Sequence, residues 1–125
     1  AEEMAFQYSK AHVFVLSSFI ENSPNALGES MMVGTPTVVS PVGGVTSIVN
    51  DNESSILFPS GDHVSLAFQI ERIFSDDLLA KEISRNARSI ALHRHNIHEV
   101  TTQYYSIYSQ IIQLHNENTK HNTRA

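Results

Sequence analysis

The pattern of apolar and polar positions divides the first half of the chain into alternating strands and helices. Three short runs consist mainly of apolar and β-branched residues, at 12–18, 37–40 and 55–58. Such runs are typical of strands buried on both faces of a parallel sheet. Between the first two runs, Ser23 is predicted as an N-cap with Pro24 at the first helical position, and Gly34 suits the helix end, which together predict a helix over 24–33. These elements form a strand–helix–strand unit of the α/β class.

The second half of the chain has the period of amphipathic helices, because apolar residues recur three or four positions apart along three segments. The three stripes are Leu66, Ile70, Ile73 and Phe74; then Leu79, Ile83, Ala87 and Ile90; then Val100, Tyr104, Ile107, Ile111 and Leu114. Asp62 is a suitable N-cap for the first of these helices. Together the elements predict an α/β fold with a parallel sheet of about three strands and flanking helices. We expect one domain over residues 1–115 and a polar C-terminal tail over residues 116–125.

Composition and charge narrow the possible functions. The 125 residues include no cysteine, which excludes a disulfide framework, a thiolate zinc site and a thiol nucleophile. With 8 Lys+Arg against 13 Asp+Glu the formal charge is -5, so the chain lacks the basic face with which nucleic-acid-binding proteins neutralise phosphates. The apolar runs stop after a few residues. We therefore expect no nucleic-acid partner, no membrane span and a cytoplasmic location.

Candidate chemistry gathers at the carboxyl edge of the predicted sheet, where open α/β sheets bind their ligands. The helix that starts near Pro24 directs unpaired N–H groups toward this edge, which suits a phosphate, and Gly43-Gly44 permits close backbone approach from the opposite wall. Glu21 and Glu29, eight residues apart, can both face the cleft. A carboxylate there can accept hydrogen bonds from a vicinal diol such as a ribose. The alternative is that both glutamates are solvent-exposed surface residues.

Residues 17–44 carry three motifs that together are specific. They are the E-x7-E pair of Glu21 and Glu29, the Gly34-Thr35-Pro36 turn into a strand, and the S-x-x-G-G loop from Ser40 to Gly44. This stretch resembles the nucleotide-recognition segment of retaining glycosyltransferases of the GT-B fold, family 4. The resemblance continues over nearly the whole chain except the tail. It implies that residues 1–115 form a partial Rossmann-like parallel sheet with flanking helices, which is part of the C-terminal, nucleotide-sugar-binding domain of such an enzyme, truncated on its N-terminal side.

The resemblance also implies roles for individual residues. Glu29 would bind the ribose hydroxyls of the nucleotide, and Glu21 would lie near the transferred sugar as the catalytic carboxylate that positions the donor and stabilises charge. The other donor-binding residues would be Ser23, the amides of Asn25, Ala26 and Leu27, and the loop residues Gly43 and Gly44. The resemblance implies no metal and no cofactor, since the nucleoside diphosphate sugar is the donor substrate.

Two departures from the family pattern qualify the expected activity. Glu21 is followed by Asn22-Ser23-Pro24, where the commoner pattern has glycine after the glutamate, and this variation leaves the donor sugar open. Family members also carry an N-terminal acceptor-binding domain and a basic Arg/Lys pair, and neither is expected here. We therefore expect the donor-binding part of an enzyme that moves a sugar to a glycan or lipid-linked acceptor, inactive as these 125 residues. The full-length enzyme would be cytoplasmic or peripheral to the inner face of the membrane.

Two other interpretations are alternatives to the donor-binding part of a glycosyltransferase. The chain could be a stand-alone nucleotide-binding or interaction module that keeps only the fold. It could also belong to a sugar-nucleotide epimerase of the same overall fold, although the E-x7-E segment favours transfer. Ser17 and Ser18 lack the sequence context of a hydrolase nucleophile.

The first predicted strand would be internal in a complete sheet of this kind, so here it would form an apolar edge. Such an edge recruits another strand, which predicts a homo-oligomer; the alternative is a monomer whose N-terminal helix covers the edge. The histidines of segment 93–98 have metal-like spacing, but we interpret them as a polar turn between helices. We interpret Tyr104 as a core residue of the last helix, whose exposed apolar face, if present, would mark a missing partner domain.

Overall fold

The computed structural model describes residues 2–122, with side chains described as far as residue 117, and contains five α-helices, one 3-10 helix and three strands in that range. In chain order the elements are α1 (Glu2–Lys10), β1 (Phe14–Leu16), α2 (Asn25–Val33), β2 (Thr37–Val39), the 3-10 helix (Gly43–Ser47), β3 (Ile56–Leu57), α3 (His63–Ser75), α4 (Asp77–Arg94) and α5 (Ile97–Asn122). The predicted α/β class and all three predicted strands are confirmed, although each strand is shorter than its apolar run.

The three strands form one parallel sheet in the order β1-β2-β3. Phe14 pairs with Thr37, and Val38 pairs with Ile56, so β2 is the central strand. All three residues of β2 are buried, whereas those of β1 are half-buried. Within residues 2–122 no strand pairs with the other side of β1, which lies at an edge as expected.

Helix α2 begins and ends through backbone geometry. Gly34 takes the left-handed conformation at φ 92°, and its N–H donates to the carbonyls of Ser30 and Met31, which ends the helix as predicted. At the other end Pro24, not Ser23, is the N-cap, and it makes no side-chain capping hydrogen bond. The prediction that Ser23 caps the helix is wrong, because the helical hydrogen bonding starts one residue later, at Asn25.

Apolar residues pack on both faces of the sheet. The first cluster comprises Leu27, Met31, Val39, Val45, Val49, Ala87 and Ala91, and the second comprises Val38, Ile56, Phe58, Ile73 and Ile83. The adjacent residues Val38 and Val39 belong to different clusters because successive side chains of a strand point to opposite faces. Helix α4 contributes to both clusters, which explains why Ile83 and Ala87 are fully buried, as their stripe predicts.

Two predictions about the amphipathic helices are wrong. Phe74 is exposed and its ring stacks on His12, so the buried position of that stripe is Ile73. Tyr104 is also exposed, with 59% of its surface accessible. Tyr104 lies on α5, which belongs to a separate compact unit, residues 93–125. The period of a helix predicts which side chains share a face, but not that another element packs on that face.

The chain divides into compact units of residues 1–92 and 93–125. In the second unit, the Asn96 side chain accepts a hydrogen bond from the His98 amide and so caps α5. Helix α5 runs to Asn122 and therefore continues into the segment 116–125, which was expected to be a polar tail. Residues 123–125 of that tail lie outside the described residues. The division into a domain of residues 1–115 and a tail of residues 116–125 stays a prediction. None of the helices within residues 2–122 is long and apolar enough to cross a membrane.

Candidate functional site

The loops that follow the three strands meet at the carboxyl edge of the sheet. The backbone carbonyl of Ser18, just after β1, accepts hydrogen bonds from two side chains of the neighbouring loops. Ser40 Oγ, after β2, donates at 2.6 Å, and Ser60 Oγ, after β3, donates at 3.3 Å. Three segments that are far apart in sequence are thereby joined at one place. These contacts confirm that the three loops lie together, and their role as a ligand site stays a prediction.

The glycine pair of the second loop lies directly against the backbone of the first. A Cβ atom added to Gly43 would stand 1.6 Å from the carbonyl oxygen of Glu21, and one added to Gly44 would stand 1.9 Å from that of Asn22. Gly43 also has a φ of +51°, which side chains disfavour. The Gly44 N–H donates to the Glu21 carbonyl at 3.2 Å. Both glycines are therefore required for this close approach, and their contact with a donor stays a prediction.

Glu21 is half-buried at this edge with its carboxylate partly engaged. Its Oε1 accepts a hydrogen bond of 2.6 Å from Ser18 Oγ, a length typical of hydroxyl-to-carboxylate bonds. The side chain is thus oriented by Ser18 while its main chain is held by Gly44. Oε2 of Glu21 can accept a hydrogen bond from a ligand hydroxyl.

The N-terminus of α2 follows directly on the Glu21 loop. Leu27 and Gly28 donate their N–H groups to the Pro24 carbonyl at 3.1 and 3.2 Å. Asn25 and Ala26 are exposed at the first two helical positions, whose N–H groups have no acceptor within a helix. Of the three amides predicted to bind the donor, the geometry therefore favours Asn25 and Ala26 over Leu27. Ser23 is exposed in the loop that precedes them.

Glu29 is exposed on the second turn of α2 and faces α1. Tyr8 Oη donates to Glu29 Oε2 at 3.4 Å, and the two side chains line a groove of about 420 Å³. The groove is otherwise lined by Met4, Ala5, Met32 and Val33. Burial raises the pKa of the Tyr8 hydroxyl, and the adjacent Glu29 charge and hydrogen bond raise it further. Glu29 is therefore an exposed carboxylate with a buried hydrogen-bond partner.

Sequence reasoning did not identify Tyr8. The segment 3–11 carries only a weak helical pattern, and its apolar positions do not indicate which carboxylate a tyrosine would meet. The only sequence signal was that Tyr8 lies one helical turn from Met4, which places both on one face.

The electrostatics of the edge are acidic. The segments 17–24, 40–47 and 58–62 contain no lysine or arginine, and Glu21 lies among them. Within the part of the chain that the structure describes, no group of three or more His, Asp or Glu side chains is placed to hold a metal ion. His93 of the histidine-rich turn instead pairs with Glu99 at 3.0 Å.

The family described as "Glycosyl transferases group 1" matches residues 1–90. The chain belongs to this family. A GalNAc-GalNAc-diNAcBac-PP-undecaprenol α-1,4-N-acetyl-D-galactosaminyltransferase of Campylobacter jejuni is 31% identical over 88 residues, which is 70% of this chain and 24% of that protein. The chain thus spans about a quarter of the length of this curated relative.

Solved structures of other proteins share this fold. Sucrose-phosphate synthase from Thermosynechococcus elongatus superposes with a TM-score of 0.82 at 32% identity, over 89% of this chain and 28% of that one. HepE from Anabaena, solved in complex with UDP-glucose, superposes with a TM-score of 0.80 at 22% identity, over 86% of this chain and 30% of that one. The three-stranded parallel sheet with its flanking helices is therefore part of the GT-B fold of this family.

Proposed function

We propose that this group 1 glycosyl transferase chain is the donor-binding part of a retaining, family 4 enzyme that moves a sugar from a nucleoside diphosphate sugar to a glycan or lipid-linked acceptor. The observation that carries the proposal is the contact of Gly43 and Gly44 with the backbone of Glu21 and Asn22. This contact fixes the backbone of the loop that carries the first carboxylate of the E-x7-E pair and leads into α2. The HepE complex with UDP-glucose and the undecaprenol-linked substrate named for the Campylobacter relative support the donor and acceptor classes.

Glu29 binds the nucleotide ribose in this proposal. Its carboxylate is exposed at a groove and can accept hydrogen bonds from both hydroxyls of a vicinal diol. Hydrogen bonds to a charged group contribute about 1.5–3 kcal/mol each, so loss of the carboxylate should weaken binding by roughly one to two orders of magnitude.

Glu21 orients the transferred sugar. Ser18 holds Oε1, and Oε2 accepts a hydrogen bond from a sugar hydroxyl, while the negative charge stabilises positive charge that develops at the anomeric carbon. The exposed amides of Asn25 and Ala26, together with the positive end of the helix dipole, bind the diphosphate. Ser23 and Gly43 complete the donor contacts.

We propose that these 125 residues bind the donor without transferring its sugar. The three edge segments contain no lysine or arginine that could neutralise the diphosphate as it leaves. In the full-length enzyme, a basic pair would come from the start of this C-terminal domain and the acceptor site from an N-terminal acceptor domain, and the enzyme would lie in the cytoplasm or at the inner face of the membrane. The exposed apolar stripe of α5, which includes Tyr104 and Ile107, is the surface we assign to that acceptor domain. The unpaired edge of β1 is the surface through which copies of this chain would associate.

The experiment is an NMR titration of the chain with UDP, GDP and ADP, which detects millimolar binding. One nucleotide should shift the amide resonances of Asn25 and Ala26, and Glu29→Ala should weaken that binding at least about tenfold. Glu82→Ala is the matched control because Glu82 is an exposed carboxylate on α4, away from the edge. A folded wild type that responds to none of the three nucleotides would overturn the proposal and favour an interaction module.

A further inference from the structure

Tyr8 is the buried tyrosine of α1 and contacts β1, α2 and the turn that follows α2. Only 7% of its surface is accessible. Its ring packs edge-on against Phe14 of β1 with a centroid separation of 5.7 Å, and its carbonyl accepts a buried hydrogen bond of 2.7 Å from Thr35 Oγ1, just after α2. Because ring and backbone are both held, the hydroxyl has a defined position.

The Tyr8 hydroxyl contacts the carboxylate of Glu29, which binds the ribose in the proposed function. Tyr8 Oη is 3.4 Å from Glu29 Oε2, and the two residues are 21 positions apart in sequence. Glu29 is otherwise an exposed glutamate on a helix, whose several rotamers must be restricted before it can bind a ligand. A hydrogen bond from a fixed hydroxyl restricts those rotamers in the free protein, which lowers the entropic cost of binding.

We propose that Tyr8 is a positioning residue for ribose recognition: its hydroxyl holds Glu29 Oε2, which leaves Oε1 directed to the groove to accept from the ribose hydroxyls. This inference rests on the proposed function, because it requires Glu29 to bind the ribose. Tyr8 itself touches no reacting atom.

The surroundings of the pair support this role. Burial, and then the charge of Glu29, raise the pKa of Tyr8, so at neutral pH the hydroxyl is protonated and acts as a donor. The side chains of Met4, Ala5 and Met32 line the same groove and offer no competing hydrogen-bond donors. Among the residues that line the groove, the Tyr8 hydroxyl therefore donates the hydrogen bond to the Glu29 carboxylate.

The test compares Tyr8→Phe with the wild type in titrations with UDP and with 2′,3′-dideoxyuridine diphosphate, which lacks both ribose hydroxyls. The variant keeps the ring and removes only the hydroxyl. It should weaken UDP binding by about three- to tenfold and leave dideoxy binding unchanged. In a Glu29→Ala background Tyr8→Phe should have no further effect on UDP binding. Tyr105→Phe is the control, because that tyrosine is 77% exposed on α5.

The outcomes separate this inference from the proposed function. If the wild type prefers UDP over the dideoxy compound, Glu29→Ala abolishes the preference, and Tyr8→Phe retains it, then the positioning role is refuted while the proposed function stands. If Tyr8→Phe weakens the binding of both ligands equally and lowers the unfolding temperature, Tyr8 has only a structural role and the inference is also refuted. If the wild type shows no preference or no binding, ribose recognition by Glu29 fails, and the inference fails with it.

Discussion

Replacement of Gly43 by alanine tests the contact on which the proposed site depends. The new Cβ would lie 1.6 Å from the Glu21 carbonyl oxygen and 2.8 Å from the carbonyl carbon, both of which are backbone atoms. No side-chain rotation can relieve such a clash, so the Glu21 loop must move by more than about 1 Å. Displacements of about that size are sufficient to cost roughly 100-fold in activity when they misplace a functional group.

The expected magnitude has two parts. An alanine at a left-handed φ such as +51° costs about 1–2 kcal/mol, and overpacking costs about 1–3 kcal/mol more. Gly43→Ala should therefore lower the free energy of unfolding by about 2–5 kcal/mol. Because the Glu21 loop leads directly into α2, its displacement also moves the Asn25 and Ala26 amides that we assign to the diphosphate, so UDP binding should weaken at least about tenfold. Urea denaturation measures the first quantity and NMR titration the second.

Gly34→Ala is the matched control for Gly43→Ala. Gly34 also has a left-handed φ, +92°, but its Cβ would meet the Ser84 side chain at 3.3 Å at the far end of α2. This variant should lose about 1–2 kcal/mol of stability and bind UDP as the wild type does. The reasoning is refuted if Gly43→Ala is as stable as Gly34→Ala and binds UDP with wild-type affinity.

Three further predictions concern stability and association. Asp62→Ala removes the carboxylate that accepts from two amides of α3 at 3.1 and 2.9 Å, and should cost about 1 kcal/mol in urea titrations, whereas Asp62→Asn should cost little. Burial and Glu29 raise the pKa of Tyr8 above 10.0, so its neutral hydroxyl contributes stability that is complete below pH 10.0 and is lost as the pH rises through the raised pKa. The stability difference between wild type and Tyr8→Phe should shrink in that range, and a constant difference would contradict this account. Val15→Pro removes an N–H at the open edge of β1, so in sedimentation experiments the wild type should be an oligomer and the variant a monomer. A monomeric wild type would refute association through this edge.

The Val15 prediction depends on the direction of the strand hydrogen bonds. Phe14 donates to the Pro36 carbonyl at 2.8 Å, and Leu16 accepts from the Ser40 amide at 2.9 Å. Alternate residues of a parallel strand bond to the same neighbour, so the N–H of Val15 faces away from β2. Proline at that position leaves the β1–β2 pairing intact, and circular dichroism should confirm that the variant remains folded.

Features that depend on neighbouring residues could be predicted from the sequence. Gly34 ends α2 because only glycine takes a left-handed φ without cost, and Asp62 caps α3 because its carboxylate reaches the amides of Val64 and Ser65. The apolar runs identified all three strands, and the Gly43-Gly44 pair pointed to a close backbone approach. These signals are local, since each follows from backbone sterics or from the period of one element.

The errors arose where local signals compete. Ser23 and Pro24 are both suited to a helix start, and only the hydrogen bonds of the first turn show that Pro24 is the cap. Ile73 and Phe74 are adjacent apolar residues of one stripe, and packing against the sheet decides that Ile73 is buried. The last helix has a clear apolar period, but a period does not specify whether anything covers it, and Tyr104 is exposed.

The sequence by itself determined the α/β class, the parallel strands and the two carboxylates of the E-x7-E motif. Only the tertiary structure decided what those carboxylates contact: Ser18 and the glycine loop at Glu21, and Tyr8 at Glu29. Contacts between distant segments depend on how elements pack, and the period of any one element does not encode the side chains that it will meet. The helices and strands of this protein can therefore be predicted from local sequence, whereas the contacts of the candidate site depend on how these elements pack.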